Sequence, residues 1–196
     1  QQGAHDVIGN RAYSLHIEQV MALARAHTAG LMDGGVLPVM KHIPGHGRAE
    51  VDSHHALPVV SARRQDLEKV DFPPFAAFAD APMAMTAHVI YTAIDRTAPA
   101  TLSRKLIKSV IRGQIGFRGL LLTDDLSMKA LSGSFEEKCT KALKAGCDML
   151  LHCNGVLAEM REVAEAAGEL KGKSLRRAKA ALKSARKPQA YDRKAA

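Results

Sequence analysis

The sequence predicts an α/β protein built on a parallel sheet, and three observations carry that prediction. Short apolar runs alternate with longer stretches of helical periodicity. Residues able to do chemistry (His, Lys, Asp) stand just past those runs, where parallel sheets place their sites. The chain has 196 residues, 46% hydrophobic and 24% charged, which suits one sizeable globular domain rather than a disordered, collagenous or coiled-coil chain.

The elements follow in order. Ile17, Val20, Met21, Leu23 and Ala24 place a helix from about Ser14 to Met32, stopped by Gly34-Gly35. Val36 to Met40 reads as a strand and opens into a loop rich in Gly, Pro and His. Helical segments follow near Ser61 to Val70 and Pro74 to Ala79, then a strand at Met83 to Ala87. A helix from about Ser103 to Arg112 precedes the strand Leu120 to Thr123, and one from about Glu136 to Ala145 precedes Met149 to Leu151. Lys41-His42, His88, Asp124-Asp125, and His152 with Asn154 each follow one of these strands. Four or five strands are visible where a closed barrel needs eight, so the chain reads as an open sheet or as the later part of a barrel.

Charge and cysteine narrow the class. The net charge of +8 belongs to the end of the chain: residues 171–196 hold ten Lys/Arg and one acid, and the rest is nearly neutral. Leu175, Ala178, Ala181, Leu182 and Ala185 give that basic stretch helical spacing, so it is expected as a surface helix that frays after Pro188. No aromatic residues are interleaved as a nucleic-acid arm would need, so nucleic acid is not expected as a partner. No apolar run approaches the ~20 residues of a membrane-spanning helix, so no membrane association is expected. Gln1-Gln2-Gly3 has neither an initiator Met nor a signal-peptide layout, and reads as a cut edge. Cys139, Cys147 and Cys153 form no CxxC pair, which predicts reduced thiols and a cytoplasmic protein.

Two constellations carry chemistry. In the loop after Lys41-His42, Asp52 and His54 stand two apart. A carboxylate beside an imidazole accepts its N–H and favours the protonated form, which can protonate a leaving group and later take a proton from water. The same loop offers His42, His46, Asp52, His54 and His55 as zinc ligands, though its spacing matches no tight zinc motif. A plain surface loop is the third reading. In the second constellation, Leu120 to Met128, an apolar strand delivers Asp124 to its end with Asp125 beside it. Asp124 reads either as a nucleophile or as a helix N-cap.

Together, KHIPGHG with DSH and LP, MTAHVIYTAID with PATLS, GLLLTDDLSM, and IGNRAYS near the start resemble the bacterial β-N-acetylglucosaminidases of glycoside hydrolase family 3, enzymes of peptidoglycan recycling. The resemblance runs from residue 7 to about 155 and implies a (β/α)₈ TIM-barrel fold, here its later part with the first strands missing. Residues 1–170 would be the partial catalytic domain and 171–196 the basic helical tail. The implied reaction releases terminal β-1,4-linked N-acetylglucosamine from anhydro-N-acetylmuramic acid and its peptides, with retention of configuration. Position by position, the resemblance makes Asp124 the nucleophile, His54 the general acid/base, Asp52 its partner, and Lys41, His42 and Arg11 the sugar-binding residues. Thr123 stands where the family usually has Ser. Neither cofactor nor metal is implied, and the full-length protein is expected to be a monomer. The chain alone is expected to be poorly folded or inactive. The rivals are a metal-dependent hydrolase using the His-rich loop, and an inactive fragment that binds sugar or nucleic acid.

Overall fold

In the computed structural model, which describes residues 12–49, 51, 53 and 56–189, helix α1 spans Ile17–Asp33. It starts later than its periodicity suggests because the Ser14 hydroxyl is bonded to Gln19 and to the His16 backbone N–H rather than capping the helix. Strand β1 is Val39–Ile43, displaced along the chain from the expected Val36 to Met40. Its ends are set by a parallel ladder with β3, running from Val39 opposite Met83 to Ile43 opposite Thr86. Lys41 and His42 therefore lie within the strand rather than after it.

Strand β2, Val59–Val60, follows the His-rich loop. One continuous helical stretch, α2, replaces the two expected helices. It runs as α-helix over Arg64–Asp66, as π-helix over Leu67–Asp71 and as α-helix again over Phe72–Ala76. Pro73 and Pro74 have no N–H to give, and a proline inside an α-helix clashes with the carbonyl four residues back. The wider π turn just ahead of them accommodates that conflict.

Strands β3 (Met83–Thr86) and β4 (Ile90–Tyr91) come next, then a 3₁₀ turn at Ala100–Leu102. Helix α3 is α-helical over Arg104–Leu106 and π-helical over Ile107–Gln114, with the Ser103 hydroxyl accepting the Leu106 N–H at its start. Strand β5 is Leu120–Asp125. Helix α4, Phe135–Ala145, is capped by Ser134 and closed by Gly146 at φ 119°, a conformation that favours glycine. After β6 (Met149–Leu151) come α5 (Leu157–Ala167) and α6 (Gly172–Lys183). Helix α5 is absent from the expected elements, although Leu157, Met160, Val163 and Ala167 carry its period.

The larger sheet is parallel in the order β1-β3-β5-β6, and β2 and β4 form a separate parallel pair. Leu67 and Phe72 from α2, and Leu106, Val110 and Ile111 from α3, pack with Ala84 and Leu121 of the sheet. Each such fully buried apolar side chain contributes about 1.5–3 kcal/mol. A smaller cluster of Leu126, Leu131, Cys139 and Val163 seats α4 and α5 against the chain leaving β5. Gly119 brings the entry to β5 close to its neighbour: a Cβ there would lie 2.4 Å from the Ala81 carbonyl oxygen.

The opposite end of the sheet from the chemistry is held by Asp148. Its carboxylate accepts from Arg112, the Leu121 N–H, Ser174 and Arg177, at 2.8–2.9 Å. Ser174 and Arg177 belong to α6, so the basic helix is tied to the body through this buried carboxylate. The helix stops at Lys183, well before Pro188. The chain beyond it returns to the end of α1, where the Gln189 N–H reaches the Asp33 carbonyl. Cys139 and Cys147 are buried and Cys153 is exposed. Among the described residues no helix is long and apolar enough to cross a membrane.

Candidate active site

The carboxyl ends of β1, β3, β5 and β6 bring the chemistry together. β5 is buried along most of its length, as expected of a parallel strand covered on both faces, and it presents Asp124 and Asp125 as its last two residues. Asp124 and His42 face each other, with His42 Nε2 3.6 Å from Asp124 Oδ2. That is too long for a hydrogen bond and leaves Oδ2 uncommitted in that direction. The other oxygen, Oδ1, accepts the Asp125 N–H at 2.9 Å.

Burial pushes the His42 pKa down to about 4; the nearby Lys41, His46 and His88 act in the same direction, and Asp124 opposes them. His42 is therefore a neutral imidazole at pH 7. Because its folded pKa lies below the ordinary 6.5, the unfolded chain binds the extra proton between those values and stability rises with pH across that window. We expect the native state to lose stability as pH falls from 6.5 through about 4. His42→Gln should make that slope shallower and remove up to about 1.4 kcal/mol of the loss for each unit of pKa difference. Urea titrations at several pH values check this, and an unchanged slope would contradict it.

Asp125 is engaged differently. Its Oδ1 accepts the backbone N–H groups of Ser127 and Cys153 at 3.0 and 3.1 Å, and its Oδ2 accepts the Ser127 hydroxyl at 2.6 Å. It clamps the chain leaving β5 to the chain leaving β6. Thr123 does related work one turn of the pleat earlier. Its buried hydroxyl accepts the Leu151 N–H at 2.9 Å, where the β5–β6 ladder shifts register. A hydroxyl is what that position needs, so Thr in place of Ser keeps the bond.

The His-rich loop is secured at both ends. At its start, Arg48 donates to Asp71 at 2.8 Å and the Tyr91 hydroxyl donates to the Gly45 carbonyl. At its end, the Ile90 N–H donates to the Pro58 carbonyl and the Thr92 N–H to Val60, as part of the β2–β4 pairing. His46 lies with its ring 5.7 Å from that of His42 and its Nε2 3.4 Å from the Ser53 hydroxyl. Asp52 and His54, expected to supply the proton, and Arg11, expected to bind sugar, lie outside the described residues. Lys41 is in β1 and exposed. Among the described residues no group of three or more His, Cys, Asp or Glu side chains is placed to hold a metal.

Sequence reading left several supporting residues without a role: Asp125 as a clamp, and the hydroxyls of Thr86 and Thr101 around the buried His88. The PATLS segment was their signal. Asp95 accepts from Thr97 and Ser103, and the Ala100 N–H bonds to the Val89 carbonyl. These bonds fold the segment back so that Thr101 meets His88.

Residues 2–185 match the Glycosyl hydrolase family 3 N terminal domain. The chain belongs to that family. Among curated relatives, it is 45% identical over 152 residues to a beta-hexosaminidase of Chromobacterium violaceum, covering 76% of this chain and 42% of the relative. It is 45% identical over 157 residues to a beta-hexosaminidase of Alkalilimnicola ehrlichii, covering 78% and 45%. Among solved structures, a family 3 beta-N-acetylglucosaminidase from Paenibacillus sp. superposes with a TM-score of 0.79 at 33% identity, over 91% of this chain and 36% of that one. The family is the one its motifs indicated, and the parallel sheet is consistent with part of the barrel-type fold. The chain spans less than half the length of these curated relatives.

Proposed function

We propose that the protein carrying these residues is a retaining exo-β-N-acetylglucosaminidase that removes terminal β-1,4-linked N-acetylglucosamine from anhydro-N-acetylmuramic acid and its peptide-bearing forms. The observation that carries this reading is the setting of the two strand-end aspartates. Asp125 is consumed by three donors, whereas Asp124 keeps Oδ2 turned towards His42 across a gap. A carboxylate held by one oxygen and open at the other suits attack on an anomeric carbon. The relatives' description as beta-hexosaminidases supports an N-acetylated sugar as substrate.

In this mechanism Asp124 forms the bond to the anomeric carbon as His54 gives its proton to the departing glycosidic oxygen. Asp52, two positions before His54 in the sequence, serves to keep the imidazole protonated for that step. His54 then deprotonates water, which releases the sugar from Asp124 on the original face. This replaces one of the two carboxylates of the common glycosidase arrangement with a His–Asp pair. His42 is neutral, so it approaches the sugar as a hydrogen-bonding group and forms no ion pair with Asp124. Lys41 and Arg11 bind sugar hydroxyls. We place the enzyme in the cytoplasm, as a monomer acting in peptidoglycan recycling.

The test uses the 196-residue chain and any longer in-frame product of the same gene. Hydrolysis of an aryl N-acetyl-β-glucosaminide that survives a chelator, with the β-anomer formed first by proton NMR, supports the reading; the α-anomer first would end it. His54→Gly should slow the natural disaccharide by about 10²–10⁴-fold. An aryl substrate, whose leaving group needs no proton, should be slowed far less. Equal losses on both substrates would remove His54 from the acid/base role.

A further inference from the structure

Among the buried polar groups that this mechanism does not use, His88 has both ring nitrogens partnered. The residue is 0% exposed, between Ala87 and Val89, which are also fully buried. Its Nε2 lies 3.0 Å from the Asp125 carbonyl oxygen and its Nδ1 2.7 Å from the Thr101 hydroxyl. A carbonyl can only accept, so in the neutral ring Nε2 carries the hydrogen and Nδ1 accepts from Thr101. The Thr101 oxygen is in turn 2.8 Å from the Thr86 hydroxyl, which supplies the next hydrogen. The Thr101 hydrogen faces two acceptors, His88 Nδ1 at 2.7 Å and the Ala87 carbonyl oxygen at 3.1 Å; with it on the shorter contact, the bonds run from Thr86 to Thr101, from Thr101 to His88, and from His88 to Asp125. Burial lowers the His88 pKa and keeps the ring in this neutral form.

The end of this chain of bonds bears on Asp124. The Asp125 residue has its carbonyl held by His88 and its carboxylate held by Ser127 and Cys153, and its N–H is the donor that holds Asp124 Oδ1. Fixing Asp125 at three points fixes the direction of that N–H, and with it the plane of the Asp124 carboxylate. An imidazole is an expensive way to fill a core position that an apolar side chain would fill without desolvation. Its donor towards the Asp125 carbonyl gives the expense a function.

We propose that His88 is a positioning residue for Asp124, acting through the Asp125 backbone carbonyl. The proposal rests on the glycosidase reading above. A nucleophile displaced by about 1 Å can lose about a hundredfold in rate while substrate binding is little changed.

Two substitutions separate the two ends of the imidazole. The amide nitrogen of Gln occupies roughly the place of Nε2 and reaches the Asp125 carbonyl, whereas the shorter Asn reaches only towards Thr101. In the longest catalytically competent product, His88→Asn should lower kcat on an aryl N-acetyl-β-glucosaminide about a hundredfold, with KM nearly unchanged. His88→Gln should keep kcat within roughly fivefold. The two should melt at similar temperatures, since both lose the same ring. Thr101→Val is the further variant if His88→Asn does not fold. It leaves Nδ1 without its donor, so the ring is held at one end alone, and should cost about tenfold in kcat. Nitrogen-15 NMR of His88 should show the hydrogen on Nε2 in the wild type.

A hydrogen on Nδ1 overturns the proposal. So do equal kcat losses in the Asn and Gln variants that track their melting temperatures, and so does unchanged kcat in Thr101→Val where that variant stands in. A wild-type protein that cleaves no N-acetyl-β-glucosaminide overturns the glycosidase reading and this role with it. An active wild type with indistinguishable His88 variants overturns the role of His88 alone.

Discussion

Asp124→Ala is expected to lower kcat on an aryl N-acetyl-β-glucosaminide by about 10⁴-fold, the scale of losing one member of a catalytic set. Azide should restore part of that rate and give the α-glycosyl azide, because the small anion attacks from the face that the carboxylate has vacated. Asp125→Ala is expected to behave in the opposite way. The substitution strands the N–H groups of Ser127 and Cys153, so stability falls by about 1–3 kcal/mol and the rate falls far less. The structural ground for the contrast is that Asp125 has both oxygens occupied, while among the described residues Asp124 Oδ2 faces His42 across 3.6 Å, beyond hydrogen-bond reach. Trapping with a mechanism-based fluoro sugar and locating the label by mass spectrometry decides between them. A label on Asp125, or azide rescue of Asp125→Ala alone, would reverse the assignment.

The largest effect on stability is expected at Asp148. Its side chain is 2% exposed and pairs with two guanidinium groups, those of Arg112 and Arg177, at 2.8 Å. Asp148→Ala takes the carboxylate from Arg112, itself mostly shielded from solvent, leaves it the Phe117 and Gly119 carbonyls as acceptors, and also strands the Leu121 N–H and the Ser174 hydroxyl. Removing one partner of a buried ion pair costs about 3–5 kcal/mol. Thermal and urea unfolding measure it directly. Asp148→Asn, which keeps an acceptor for the Leu121 N–H, should fall between wild type and Ala. A variant Ala protein that melts within a degree or two of wild type would show that the cluster contributes little.

Much of this arrangement was legible in the sequence wherever one signal sufficed. Helix α4 had helical spacing and a terminal Gly. β5 was an unbroken apolar run, and Asp124 and His42 stood in motifs at strand ends. What was hidden depends on partners distant in the chain. The ends of β1 come from its ladder with β3, not from its own hydropathy. Pairs as short as Val59–Val60 with Ile90–Tyr91 have no periodicity to read. The joining of two expected helices into α2 depends on a π turn ahead of Pro73 and Pro74, residues that read in the sequence as a break between helices. The Thr101–His88 contact and the grip of Asp148 on α6 link residues that no spacing rule connects. Helix α5 is the exception, since its period was present and unused.

The strand order has a consequence for how such a molecule is made. Within the larger sheet, every strand neighbours the one that precedes it there in the chain: β1 then β3, β5 and β6. A ribosome releasing this chain would hand each new strand a waiting edge, so the sheet can grow by addition during synthesis rather than await a distant partner. The groups around Asp124 would arrive in a fixed sequence: His42 first, His88 and Thr101 next, Asp124 and Asp125 after them. Cys153, whose N–H completes the hold on Asp125, comes last. The nucleophile would leave the ribosome before its clamp is complete, and the site would become rigid only as the final strand docks.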